Sequence, residues 1–332
     1  MKREPKSLQE AILYFSNPAN CREYLVARRW PDGVTCPRCG SDNVLFLEKY
    51  NRWHCRQKHA APQFTLKTGT IFEDSPIGLD KWLTAMWQIV NCRNGISSYE
   101  IHRAIGVTQK SAWFMDHRIR LALQNGSIAK LGGPGGEVEA DEAFIGGKAK
   151  NMHRGRRKAL AIARNSCLKG DTRLIGKTAV VGVLDREQRE VRATVVPAIN
   201  RETLQNAILN HIEHGSKIYT DEAALYHSIP NKYVHEFVNH MEKYVNGRVH
   251  TNGLENFWSL LKRGLNGTYV AVEPFHLFRY LDEQMFRFNN RKDERGNTLT
   301  DSDRFDLAVR QIVGKRITYK ELTGKVGSSE AF

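Results

Sequence analysis

Apolar and polar positions along the chain fall into blocks of different period, and the changes of period mark the elements. Val44-Leu45-Phe46-Leu47 and Tyr50-Asn51-Arg52-Trp53 are runs of strand length, and Phe64 and Leu66 open a third strand. Trp82, Met86, Ile89 and Val90 then recur at helical spacing. Ser97-Ser98-Tyr99-Glu100 has the form of a capping box, in which a serine and a glutamate cap the same helix start. It predicts a short helix through Ile101 and Ile105 that stops at Gly106, with Thr108 capping the next helix. The glycine-rich run Gly132-Gly133-Pro134-Gly135-Gly136 predicts a break in regular structure and a domain boundary. Beyond it, Val138 to Ile145 reads as a strand. Thr178 to Leu184 is almost continuously apolar, as in a buried central strand, and Val191 to Val196 alternates. The last two predict a hairpin across Asp185 to Arg189, where Asp185 is a turn former. Arg201 to His211 reads as a helix with Leu204, Ile208 and Ile212 on one stripe, and Lys217 to Asp221 as a short strand. Leu254, Phe257, Trp258, Leu261 and Leu265 form the apolar stripe of a further helix.

These blocks predict a multidomain chain. Residues 1–30 form an N-terminal helical segment, 31–72 a zinc ribbon and 80–130 a helix-turn-helix region. Residues 136–290 form an α/β core with a helical C-terminal part, and 291–332 a tail of unknown role. Three antiparallel strands, a helix and a further strand are the element order of a ribonuclease H-like core.

Charge narrows the function. Across 332 residues, 50 Lys and Arg against 36 Asp and Glu give a net +14, which points to a polyanionic partner, most simply nucleic acid. Lys148 to Lys177 alone holds ten basic residues and one acid, Asp171, so Arg154, Arg156, Arg157 and Lys158 are candidates to clamp a phosphate backbone. A solvated basic loop is the plainer alternative. No secretory segment follows Met1, and no apolar run reaches the 18 or so residues of a membrane span. Six cysteines in so long a chain do not suggest a disulfide scaffold, so a reducing cytoplasm is the expected location.

Cys36-Pro37-Arg38-Cys39-Gly40 is a CxxC knuckle whose glycine permits the turn that aims backbone amides at sulfur. With Cys55 and His59 it offers four zinc ligands, and His54 is a rival for the last place. A segment this small buries too little apolar surface to fold alone, which is a physical reason to expect the metal. In the helix-turn-helix, Gln109, Lys110, Ser111 and Arg118 are placed to meet DNA, against the alternative of a plain helical hairpin.

Three acids carry the remaining chemistry. Asp141 and Asp221 lie in strand-like surroundings, and Glu255 follows Asp221 by 34 positions in a helix-like one. Carboxylates gathered in one place repel, and divalent cations relieve the repulsion. Two such cations serve phosphodiester chemistry well. Lys262, two helical turns after Glu255, could meet a phosphate as a point charge. Glu139, Glu142 and Glu222 read as supporting or surface acids, and Asn252 shares the helix face of Glu255, Ser259 and Lys262.

Taken with Thr68-Gly69-Thr70-Ile71-Phe72, Gln109 to Trp113, Asp141-Glu142, His250 to Trp258, Leu260 to Gly264, Gly267-Thr268-Tyr269 and Phe286 to Asn289, the chain resembles bacterial insertion-sequence transposases. The group has an N-terminal zinc ribbon and an ISXO-type DDE core, and the resemblance spans about residues 10 to 290. It implies an enzyme dependent on Mg²⁺ or Mn²⁺ that binds the terminal inverted repeats of its element. Such an enzyme frees a 3′-hydroxyl and joins it to target DNA, working as an oligomer that pairs two ends. It also implies Asp141, Asp221 and Glu255 as the triad and Lys262 as the basic residue that follows. Two other readings stay open: a zinc-ribbon and helix-turn-helix regulator with an inactive core, and a ribonuclease H-like nuclease.

Overall fold

The computed structural model describes residues 4–124, 126–147, 151–155, 158–160, 176–197, 200–221, 230, 233–238, 250–270 and 272–324. Arg156, Arg157, Glu222 and most of the basic stretch lie outside them. The chain divides into two compact units, Met1–Asn125 with Asn290–Phe332, and Gly126–Asn289.

In the first unit, α1 (Leu8–Phe15) and α2 (Pro18–Arg29) are capped by Ser7 and Asn17, whose side chains accept from amides of the first turn. A three-stranded antiparallel ribbon follows in the order β1 (Val44–Leu47), β2 (Arg52–Cys55), β3 (Gln63–Phe64). α3 (Leu79–Asn91) buries not only the expected stripe but also Leu83, Ala85 and Trp87, so it is the central helix of its unit. α4 (Ser98–Ile105) carries the full Ser97–Glu100 capping box and ends at Gly106, whose φ of 63° is the left-handed conformation glycine allows. α5 (Gln109–Ala122) is capped by Thr108. The C-terminal residues return to this unit. Phe305, fully buried, packs on Phe15, Tyr24 and Trp87 with ring centroids 5.7, 5.7 and 4.9 Å away.

The second unit is built on a five-stranded sheet in the order β10-β9-β5-β6-β7. Here β5 is Glu137–Ile145, β6 Thr178–Asp185, β7 Val191–Val196, β9 Lys217–Asp221 and β10 Val234–Val238. β5, β6 and β7 are antiparallel neighbours, whereas β9 runs parallel to β5 and β10 parallel to β9. Asp185 closes the β6–β7 hairpin by accepting the amides of Glu187 and Gln188.

Helices cover both faces. On one lies α6 (Arg201–Leu209), against Val138, Ala140, Val181, Val183 and Ile218. On the other lie α7 (Asn252–Gly264), continued by a π turn (Leu265–Tyr269), and α8 (Leu277–Asn289), against Ala143, Val180, Leu184 and Val191. Since strand residues alternate between faces, Glu139 and Asp141 share the α7 face with Ala143.

Two expectations are corrected. Ile212 belongs to a short strand, β8 (Ile212–Glu213), that pairs with β4 (Leu131–Gly132), not to the α6 stripe. The glycine run breaks regular structure only from Gly133 on, where Gly133 to Gly136 form the turn between β4 and β5, and its first residue does not. Gly132 lies in β4 with φ +80°, and a Cβ there would stand 2.4 Å from Ser216 Oγ, so glycine is needed for the close approach. The boundary between units falls before it, at residues 125 and 126.

Candidate functional site

Asp141 and Asp221 meet because β5 and β9 are parallel neighbours. The pairing is recorded through Glu139↔Tyr219, and the two aspartates keep the same offset two residues further along both strands. Burial pushes the Asp141 carboxyl up to about 7, and the charges of Glu142 and Asp221 add to the rise. The Glu142 amide, at 2.9 Å, and the Trp258 indole oppose it by donating to the carboxylate.

That indole comes from α7. Trp258 Nε1 donates to Asp141 Oδ2 at 3.0 Å, with its ring over Gly182 of β6. A Cβ on Gly182 would stand 2.6 Å from Trp258 Cζ2, so the indole reaches the carboxylate only over a glycine. α7 is thereby laid across the strand that bears Asp141. Glu255, one turn before Trp258, is exposed, as are Asn252, Ser259 and Lys262. Among the described residues, the three carboxylates do not bring ligand atoms within the 4.8 Å spacing that the cysteine cluster reaches. The structure therefore places the two aspartates near enough for the charge of one to act on the other, and the helix of Glu255 against Asp141 through Trp258, with Glu255 turned to solvent.

Glu139, expected to be a supporting or surface acid, has 1% of its surface exposed and binds the start of α7. Nothing in its spacing distinguishes it from its neighbours except the alternation that puts it on the face of Asp141. Trp258 reads from the sequence as a member of the core stripe, and its polar contact was not legible there.

The second cluster is complete. Cys36, Cys39, Cys55 and His59 bring one ligand atom each to within 4.8 Å of one another. Cys39 Sγ and Cys55 Sγ are 3.6 Å apart, as are Cys36 Sγ and His59 Nε2. A zinc tetrahedron with bonds of about 2.3 Å to sulfur and 2.0 Å to nitrogen has edges of roughly 3.5–3.8 Å. The donor set and its size thus fit Zn²⁺. His59 Nδ1 lies 2.8 Å from the Ala60 carbonyl, which leaves Nε2 facing the cluster. His54 is not in the group. Burial raises the Cys36 thiol, but the amides of Arg38 and Cys39, together with the Cys39 and Cys55 thiols, outweigh it and bring it down to about 7.

The expected DNA-facing residues divide. Lys110, Arg154 and Lys158 are exposed. Gln109 donates to Ser98 Oγ at 3.0 Å, and Ser111 engages the Thr108 cap. Arg118 does not face solvent. It is 3% exposed, lies over the Phe114 ring and donates to the Ile317 carbonyl at 3.2 Å, which corrects its assignment to DNA contact.

Residues 132–289 match the family described as ISXO2-like transposase domain, and residues 16–57 match the transposase zinc-ribbon domain. An uncharacterized protein in transposable element ISH50 of Halobacterium salinarum is 26% identical over 279 residues, 81% of this chain and 90% of its own length. A cryo-EM structure of a simian T-cell lymphotropic virus intasome in complex with PP2A regulatory subunit B56 gamma is similar over 67% of this chain and 74% of that chain. Its identity is 13% and its TM-score 0.30, too low to carry an argument. Among the described residues, no helix is long and apolar enough to cross a membrane.

Proposed function

The chain belongs to the insertion-sequence transposases with an N-terminal zinc ribbon, and from that premise we propose that it binds the terminal inverted repeats of its element, cleaves their 3′ ends and joins them to target DNA. The contact that carries the reading is Trp258 to Asp141, which ties the helix of Glu255 to the strand pair of the two aspartates. The strand order β10-β9-β5-β6-β7, with β9 parallel to β5 and helices on both faces, supports a ribonuclease H-like core.

Asp141, Asp221 and Glu255 would hold divalent cations, and their hard oxygen donors suit Mg²⁺ or Mn²⁺. Such cations, when bound, supply positive charge to phosphodiester oxygens. The chain's own groups do the rest. Lys262, exposed two turns along the face of Glu255, meets a phosphate and orients the strand. In the first step water attacks the phosphodiester at the element's end, a P–O bond breaks and a 3′-hydroxyl leaves. In the second that 3′-hydroxyl attacks a target phosphodiester at the same site. A new P–O bond joins it to the target's 5′ phosphate, and the old P–O bond breaks. The target's own 3′ oxygen leaves as a hydroxyl, taking up the proton that the attacking hydroxyl gives up. Lys110 in the first unit and Arg154 and Lys158 in the second are exposed and each can meet a DNA phosphate. α4, the Gly106 turn and α5 have the helix-turn-helix outline suited to a groove. Two active sites are needed to pair two ends, so the working form is an oligomer.

The test is purified protein with Mg²⁺ and a labelled element end. Wild type nicks the end and joins it, and Asp141→Ala does neither. Unchanged nicking in Asp141→Ala would defeat the assignment. One observation favours a second reading, a DNA binder with an inactive core: among the described residues the three carboxylates do not close to ligand spacing. That protein would bind ends and be indifferent to all three substitutions.

A further inference from the structure

Glu139 stands two residues before Asp141 on the same strand and face, and only 2% of its side-chain surface is exposed. A carboxylate buried this deeply is costly unless fully compensated. Its partners account for both oxygens. Oε1 accepts from Arg186 Nε at 2.8 Å, and Oε2 accepts from the Leu254 amide at 3.0 Å.

That amide lies in the first turn of α7, where backbone N–H groups have no partner within the helix and the helix dipole favours negative charge. Thr251, the cap residue of α7, makes no side-chain cap bond. Glu139 supplies the cap from the sheet instead. Gly253 is fitted to this: a Cβ there would stand 2.8 Å from Glu139 Oε2 and 2.5 Å from Leu184 Cδ2. The helix is therefore seated on the sheet at two points, Glu139 under its first turn and Asp141 with Gly182 under Trp258. Glu255 is the residue immediately after the capped amide.

Arg186 extends the seat. It reaches Glu137 at 3.4 Å, the His250 carbonyl at 2.5 Å and His250 Nδ1 at 2.9 Å. Its guanidinium lies over Tyr219, 4.4 Å from the ring centroid, two residues before Asp221. One planar fork thus joins the Asp141 strand, the Asp221 strand and the approach to the Glu255 helix.

We propose that Glu139 and Arg186 are positioning residues: together they cap α7 from the sheet and fix where Glu255 stands relative to Asp141 and Asp221. This rests on the reading that those three acids form the metal site.

The experiment compares zinc-loaded, full-length wild type with Glu139→Gln, Arg186→Lys and Asp141→Asn. Mn²⁺ affinity, element-end binding and single-turnover end cleavage are measured at a temperature where thermal melts show every variant folded. Asp141→Asn is expected to lose both Mn²⁺ binding and cleavage. Glu139→Gln is expected to weaken Mn²⁺ about tenfold or more, the scale seen when groups that orient metal ligands are altered. Its end binding stays unchanged, and raising Mn²⁺ restores its cleavage, whereas Asp141→Asn is not rescued. A merely structural buried pair would lower the melting temperature and leave the Mn²⁺ affinity of the folded protein alone. Wild-type Mn²⁺ affinity in Glu139→Gln, beside a dead Asp141→Asn, overturns the proposal. Wild-type behaviour of Asp141→Asn overturns the reading of the site beneath it. If Glu139→Gln does not fold, Arg186→Lys decides, because it keeps the buried charge and loses the fork: weakened Mn²⁺ binding supports the seat, and unchanged binding overturns it.

Discussion

Asp141 is the residue at which the fold works against itself. Burial first, then Glu142 and Asp221, hold its carboxyl at about 7, above its ordinary range near 4. The folded chain therefore holds this proton more tightly than the unfolded chain does. The associated stability is complete below the unfolded value and is lost as pH rises through 7. Metal-free protein is expected to melt at progressively lower temperature between about pH 4 and pH 7, and Asp141→Asn to flatten that slope. Mg²⁺ should restore part of the loss in wild type only. Equal slopes in the two proteins, followed by calorimetry, would show that Asp141 is not the group responsible. Arg118 makes the complementary point. Its position on α5 suggested DNA, but helical spacing cannot reveal that a carbonyl 199 residues later, at Ile317, takes its Nε–H.

Among elements, α7 was the most legible and its seating the least. Its stripe of Leu254, Phe257, Trp258 and Leu261 is buried as the 3.6-residue period requires. The period does not say that Gly182 lies beneath Trp258, a fact that depends on the strand register. Gly182→Ala should lift the indole from Asp141 and cost about 1–3 kcal/mol, as overfilling a packed site does. A urea midpoint equal to wild type would show that the contact is loose. β10 escaped the sequence reading because it is an edge strand with Val234 and Phe237 half exposed, so its apolar alternation is weak. The β6–β7 hairpin was readable because Asp185 is both strand end and turn former. In the ribbon, the fourth ligand could not be chosen from spacing, since His54 and His59 both follow Cys39 at workable distances. The fold separates them by turning His59 back onto Cys36. His59→Ala is expected to lower bound zinc well below one per chain, while His54→Ala keeps it. Metal analysis of the purified variants reads this directly, and the opposite pattern would reassign the ligand.

For the whole molecule, a chain of net charge +14 carries two neighbouring aspartates in one sheet, so its far field attracts polyanions while the aspartate pair repels them. End binding should weaken at least tenfold between about 50 and 200 mM salt, as neutralising several phosphates requires. A flat salt response in a gel-shift titration would mean that the basic surface is not the DNA surface. The return of Phe305 to the N-terminal core was invisible in the sequence, because a single short helix does not declare its partner. The triad is the point on which the catalytic reading turns, and Glu255 is its member most exposed to solvent. Single-turnover 3′-end cleavage by Glu255→Gln, measured beside end binding, tests it most directly. Loss of cleavage with end binding within about twofold of wild type, a difference well under 1.4 kcal/mol, is the expected result. Cleavage at the wild-type rate would contradict it and leave a DNA-binding protein.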